Sequence, residues 1–167
     1  MDSERDEIRL ELAAEVIRSM GELRLSVRGS SMVPSLLPGD VLTIRRADVR
    51  EMGEGEIVLS LRGNRFVIHR LLGRAESGAG PRWITRGDAL TENDPPVGRD
   101  DVLGRVVRIQ RSGRSWKPAK PSSFARLVQW LVRHSGVLMK FLLWWHCIGQ
   151  PSAKRSSGAP LSARVCS

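Results

Sequence analysis

The chain is poor in the residues that staple small folds or hold metals. Its 167 residues include two cysteines, Cys147 and Cys166, nineteen positions apart near the C-terminus. Neither has a His or Cys partner at zinc-ligand spacing, so the sequence implies neither a disulfide framework nor a metal site. Rossmann and P-loop glycine patterns are missing, as is an EF-hand loop. No cofactor is expected, and any chemistry falls to side chains. Long apolar runs are missing too. The uninterrupted stretch Phe141 to Trp145 is far short of the roughly 20 residues that cross a bilayer. The N-terminus opens on acids where a secretory leader would carry positive charge, so neither a signal peptide nor a clear transmembrane anchor is expected.

The most uneven absence is of acid. All 18 Asp and Glu lie at or before Asp101. Residues 1–101 carry 15 Lys and Arg against those 18 acids, a net −3, whereas residues 102–167 carry 12 basic residues and no acid, a net +12. A near-neutral body with a cationic tail favours phosphate-rich partners, either nucleic acid or the anionic face of a membrane. Stacking on bases needs aromatic side chains, and the strands offer only Phe66 and Trp83. No nucleic-acid partner is therefore expected.

The length suits one domain with extra segments. Residues 1–24 read as an amphipathic helix, with Ile8, Leu12, Val16 and Met20 on one stripe, Ser3 as N-cap and acids in the first turns. From about residue 25 to 110 the pattern changes to short strands punctuated by Gly, Asp and Pro. Strands are expected near 24–28, 40–45, 56–61, 65–72, 82–86 and 102–109, with "RGN" as a hairpin turn. The fold class that follows is mainly β, a curled and mostly antiparallel domain. Residues 111–123 read as a basic Pro/Ser linker continuing a run of Arg105, Arg108, Arg111, Arg114, Lys117 and Lys120, which a polyproline-like chain would align along one side. Residues 124–149 form a helical tail with Arg126, Gln129, Arg133 and Lys140 in one sector of an otherwise apolar, Trp-bearing surface, a pattern suited to an anionic membrane interface. Packing of that helix on the domain or on a second subunit is the competing reading. Residues 150–167 read as disordered. The localisation that fits is cytoplasmic or peripheral on a membrane.

Three short stretches can carry chemistry. "RGSSMVPSLLPGD" is a turn-rich loop with Ser31 inside it. "RFVIHRLL" places His69 in mid-strand, on the face of Val67 and Leu71. "WITRGDALTENDPPVG" offers Asp88 and Asp94. Taken singly, each is ordinary: a loop serine, a structural histidine, two turn acids. Together they make the inventory of a hydroxyl nucleophile, an imidazole base and a carboxylate that orients the base. Serine oxygen attacks poorly until a neighbour takes its proton. A neutral imidazole can do so only if its other N–H is held, which is the work of the acid.

The motifs "GSSMVPSLLPGD", "GEIVLSLRGNRFVIHRLLG", "WITRGDALTENDPPVG" and "VLGRVV" occur in this order over residues 25 to 110. This stretch resembles the catalytic domain of the signal peptidase I superfamily, which includes the peptidase domains of self-cleaving SOS-type repressors. The residue before the strand's Arg is Lys in the dyad members and is His69 here, so the chain is similar to the Ser-His-Asp type of archaea and the endoplasmic reticulum. The resemblance implies Ser31 as nucleophile, His69 as general base and later acid, and Asp94 as orienting carboxylate, with Asp88 as the alternative acid or a structural support. It implies a serine endopeptidase that takes an extended segment of a precursor protein as an added strand and cuts after small residues. A self-cleaving or non-catalytic regulator with a basic binding tail is the alternative. The chain departs from the family pattern in three ways. Gly29 replaces a serine that lends a hydroxyl to the oxyanion, an amphipathic helix stands where a membrane anchor is expected, and some 24 residues before the strands leave no room for a repressor's DNA-binding domain.

Overall fold

Short apolar-alternating segments broken by Gly, Pro and Asp favour strands over helices, and the chain folds accordingly. The computed structural model describes residues 2–78 and 80–119. The expected interface helix at 124–149 and the tail at 150–167 lie outside the described residues. A helix, α1 (Asp2–Met20), precedes β1 (Glu22–Ser26), β2 (Val41–Arg46), β3 (Ile57–Arg62), β4 (Arg65–Ser77), β5 (Gly80–Arg86), β6 (Val102–Arg111) and β7 (Arg114–Trp116). They form one sheet in the order β1-β2-β6-β3-β4-β5, with β7 paired to β6. Every pairing is antiparallel. The protein is mainly β.

The helix packs through a different stripe from the one its sequence suggests. Leu10, Ala13, Ala14 and Ile17 enter the main core with Leu25, Leu42, Ile44, Leu59, Phe66 and Ile109, whereas Leu12 is 57% and Met20 77% exposed. Residues spaced i, i+4, i+8 drift around the helix by about 40° per step, so four of them cannot share one narrow face; the i, i+3, i+4, i+7 set can. The two alanines let the helix backbone approach the sheet.

Leu59 and Val58 point to opposite faces of β3. Leu59 joins the main core, and Val58 joins a second cluster with Val49, Met52, Leu71, Trp83, Val97 and Val102. Covered on both sides, β3 reads as a nearly continuous apolar run.

The sheet also extends past its expected end. β6 runs to Arg111 and turns through Ser112 and Gly113, with φ of 48° and 78°, into β7. Two successive left-handed residues make the two-residue hairpin that matches strand twist. Arg111 and Arg114, expected in the basic linker, are therefore strand residues and not part of a polyproline-like edge.

On the face of β1, β2 and β6 turned away from the helix, register rows set Arg24 beside Thr43 and Arg108, and Arg45 beside Arg105. A groove of about 910 Å³ over this face is lined by these arginines, Trp116 and Lys117, with Glu22 and Glu56 as the acids. Among the described residues no helix is long and apolar enough to cross a membrane.

Candidate active site

The stretch between β1 and β2 cannot extend as a strand because Gly29, Pro34, Pro38 and Gly39 interrupt it. It folds instead as a tethered turn. Met32, Val33 and Leu36 are buried. Backbone bonds from Val33 N–H to Ser30 O (3.1 Å) and from Leu36 N–H to Met32 O (3.0 Å) wind the segment. Its far end is fixed by Asp40, which is fully buried. Asp40 accepts from the Leu37 N–H at 2.8 Å and from Arg111 Nε and Nη2, both at 2.6 Å. The loop that carries Ser31 is thus held by its buried apolar side chains and, at its far end, by the Asp40–Arg111 ion pair.

His69 lies in β4, paired with Val58 of β3, and is 4% exposed. Its Nε2 is 2.9 Å from Ser31 Oγ and its Nδ1 is 2.6 Å from Asp94 Oδ2. The carboxylate accepts, so Nδ1 carries the proton and Nε2 offers its lone pair to the serine hydroxyl. Three residues separated by 38 and 25 positions meet in one chain of hydrogen bonds.

Asp94 is located by its own neighbours. Its N–H donates to Thr85 O (2.9 Å), and the Thr85 hydroxyl donates to Oδ2 (2.5 Å). Arg62, at the end of β3, donates from Nη2 to Thr85 Oγ1 (2.9 Å) and from Nη1 to Pro95 O (2.6 Å), and Nη2 stands 3.6 Å from Asp94 Oδ2. Burial pushes the Asp94 carboxyl up, but the bonds from His69 and Thr85 and the charges of His69 and Arg62 outweigh it. The group is held below the ordinary carboxylate range.

Asp88 does not reach His69. It forms a buried two-point pair with Arg70, Nε to Oδ1 at 2.8 Å and Nη2 to Oδ2 at 2.7 Å, and accepts from Ser35 Oγ at 2.5 Å. Arg70 Nη1 continues to Gly55 O at 2.6 Å. Asp88 thereby clamps the Ser31 loop to β4, and Asp94 is the acid beside His69. The turn before Asp88 presses on the loop from below: the Ala89 N–H donates to Ser31 O at 2.8 Å, and a Cβ on Gly87 would meet that oxygen at 2.6 Å. Only glycine fits there.

Arg62, Thr85 and Ser35 are residues of the site that sequence reasoning did not single out, and Arg70 entered it only as the motif position after His69. Arg62 stands at the foot of a hairpin whose turn residues attract the attention, and Thr85 looks like any alternating strand residue. Gly29 supplies no side-chain donor near Ser31. Among the described residues the Ser31 N–H has no acceptor, and no cluster of three His, Cys, Asp or Glu stands ready for a metal ion. Neither the family models nor the curated proteins contain a match to this chain.

Proposed function

We propose that the chain is a serine endopeptidase of the signal peptidase type, working through an acyl-enzyme. One observation carries the reading: His69 bridges Ser31 Oγ at 2.9 Å and Asp94 Oδ2 at 2.6 Å through its two ring nitrogens. Ser31 Oγ attacks the scissile carbonyl as Nε2 takes its proton. Asp94 stabilises the imidazolium across the Nδ1–H bond. The Ser31 N–H donates to the developing oxyanion. Nε2–H then protonates the leaving amine, leaving an ester on Ser31, and a water deprotonated by His69 releases the acid.

The substrate binds as an added strand. β5 pairs with β4 only from Arg70 onward, so among the described residues 65–69 have a strand neighbour on the β3 side alone. An extended segment on the open side reaches His69 directly. Small side chains before the cut suit the resemblance to signal peptidases. The basic face of β1, β2 and β6, continuing into the cationic sequence after residue 116, supports seating on an anionic membrane surface. Sedimentation with anionic vesicles and release by salt test that seat; binding indifferent to both contradicts it.

The activity is tested with an internally quenched peptide carrying Ala-x-Ala before the cut. Ser31→Ala and His69→Ala each lower turnover by about a thousandfold or more. A folded Ser31→Ala protein that still turns over contradicts the reading, and a single cut within the chain itself favours a self-cleaving regulator.

A further inference from the structure

We propose that Arg62 and Thr85 are positioning residues that hold Asp94 in register with His69. The inference rests on the Ser31–His69–Asp94 reading. Thr85 is fully buried and bonds Asp94 twice, through its carbonyl to the Asp94 N–H and through its hydroxyl to Oδ2. A threonine hydroxyl has one proton. Because Arg62 Nη2 donates to Oγ1, that proton is turned toward the carboxylate, and the chain runs in one direction, from guanidinium to hydroxyl to Oδ2.

The same Oδ2 takes the His69 Nδ1–H. Two donors, Thr85 O–H and His69 Nδ1–H, therefore fix one oxygen, and the carboxylate cannot rotate without breaking both. Arg62 adds a second tether through Pro95 O, so the residue after Asp94 is held as well. Its Nε is buried without a partner among the described residues, so the geometry favours the acid loop over full use of the guanidinium.

Charge gives the second effect. Arg62 Nη2 and His69 Nδ1 both approach Asp94 Oδ2, at 3.6 and 2.6 Å, and so stand no more than about 6 Å apart. The cation also helps hold the Asp94 carboxyl below the ordinary carboxylate range. Arg70, next to His69 on β4, is paired with Asp88, and Arg105, in the same register row as His69 beyond Val58, is paired with Glu56, whereas Arg86 of β5 donates to the neutral amide oxygen of Asn93.

The test uses the full chain and the quenched peptide, with Thr85→Val, Thr85→Ser, Arg62→Met and Arg62→Lys compared per folded molecule. Thr85→Val lowers kcat about tenfold or more at unchanged KM, the loss of one bond to a charged acceptor, and Thr85→Ser restores it. Arg62→Met lowers kcat about threefold or more at unchanged KM, because the bonds to Thr85 Oγ1 and Pro95 O are both lost. Arg62→Lys restores only part of that rate, since one ammonium cannot bridge Thr85 and Pro95 as a guanidinium does. A second readout needs no turnover. The slowly exchanging Nδ1 proton of His69 in the NMR spectrum broadens in Thr85→Val and in Arg62→Met. Rates that fall only with the folded fraction and an unchanged proton signal would overturn the inference while Ser31→Ala stays inactive. Full turnover in Ser31→Ala would instead remove the triad reading beneath it.

Discussion

Replacing Asp94 by Asn separates the two acids by their roles. Asn has nearly the same shape and can still accept from Nδ1–H, but it carries no charge. In the wild type the charged oxygen lies 2.6 Å from Nδ1 of the imidazole ring, which on the proposed mechanism becomes an imidazolium as Ser31 attacks. At an effective dielectric constant of about 20, opposite charges at that separation attract by about 6 kcal/mol. A neutral amide keeps part of this as an ordinary hydrogen bond, so the net loss is about 3 to 6 kcal/mol, or about 10² to 10⁴ in kcat. KM stays close to the wild-type value, because Asp94 acts through His69. The matching change, Asp88→Asn, works differently. It leaves Arg70, 5% exposed, without its carboxylate, and costs about 3 to 5 kcal/mol of folding stability. The rate per folded molecule changes little. Steady-state kinetics on the quenched peptide, alongside denaturant melts, measure both effects. A folded Asp94→Asn protein with wild-type kcat, or an Asp88→Asn protein that loses rate but no stability, would refute the assignment.

Three further outcomes follow from the same contacts. The depressed Asp94 carboxyl contributes stability that is fully present above its unfolded value, near pH 4, and is lost as pH falls through the lower folded value; urea melts of wild type and Asp94→Asn should therefore converge as the pH drops below about 4. Gly87→Ala places a Cβ 2.6 Å from Ser31 O and 3.0 Å from Leu90, so it displaces the nucleophile's turn and lowers both melting temperature and kcat, whereas unchanged kinetics would deny that this contact sets the loop. Arg111→Ala leaves the fully buried Asp40 carboxylate with the Leu37 N–H alone and costs about 3 to 5 kcal/mol in denaturant unfolding.

The sheet was legible in the sequence because strands declare themselves locally. "EIVLSL" and "RFVIHRLL" are β-branched and aromatic runs bounded by Gly and Asn, and both fold as strands within a residue or so at their N-terminal ends. β4 continues five residues beyond its expected end because β5 pairs alongside it as far as Ser77, a partnership no local pattern announces. The burial of α1 was misread because large side chains such as Leu12 and Met20 outweigh alanines in a pattern, whereas close packing on a sheet favours Ala13 and Ala14. β7 was taken for linker because "RSGRSW" is polar. Its pairing comes from the left-handed turn and from Arg111, whose guanidinium lies 5.4 Å from the Trp116 ring centre.

For the site, Ser31, His69 and the two acids could be named by residue type and order, but only tertiary geometry separates Asp94 from Asp88. Six positions apart, both follow the same strand, and the difference is which cation each one meets: Arg70 for Asp88, the His69–Thr85–Arg62 group for Asp94. Arg62 and Thr85 lie inside the quoted motifs, but neither residue type nor spacing marks them as site residues. Their roles arise from the end of β3 lying beside the end of β5, a contact between chain segments 23 residues apart.

The most direct measurement is the intact mass of the protein after brief exposure to an activated acyl ester of an Ala-x-Ala peptide. The account predicts a stoichiometric mass increase equal to the acyl group, mapped to Ser31 by peptide fragmentation and absent in Ser31→Ala. No adduct on the wild type, or an equal adduct on Ser31→Ala, would contradict it.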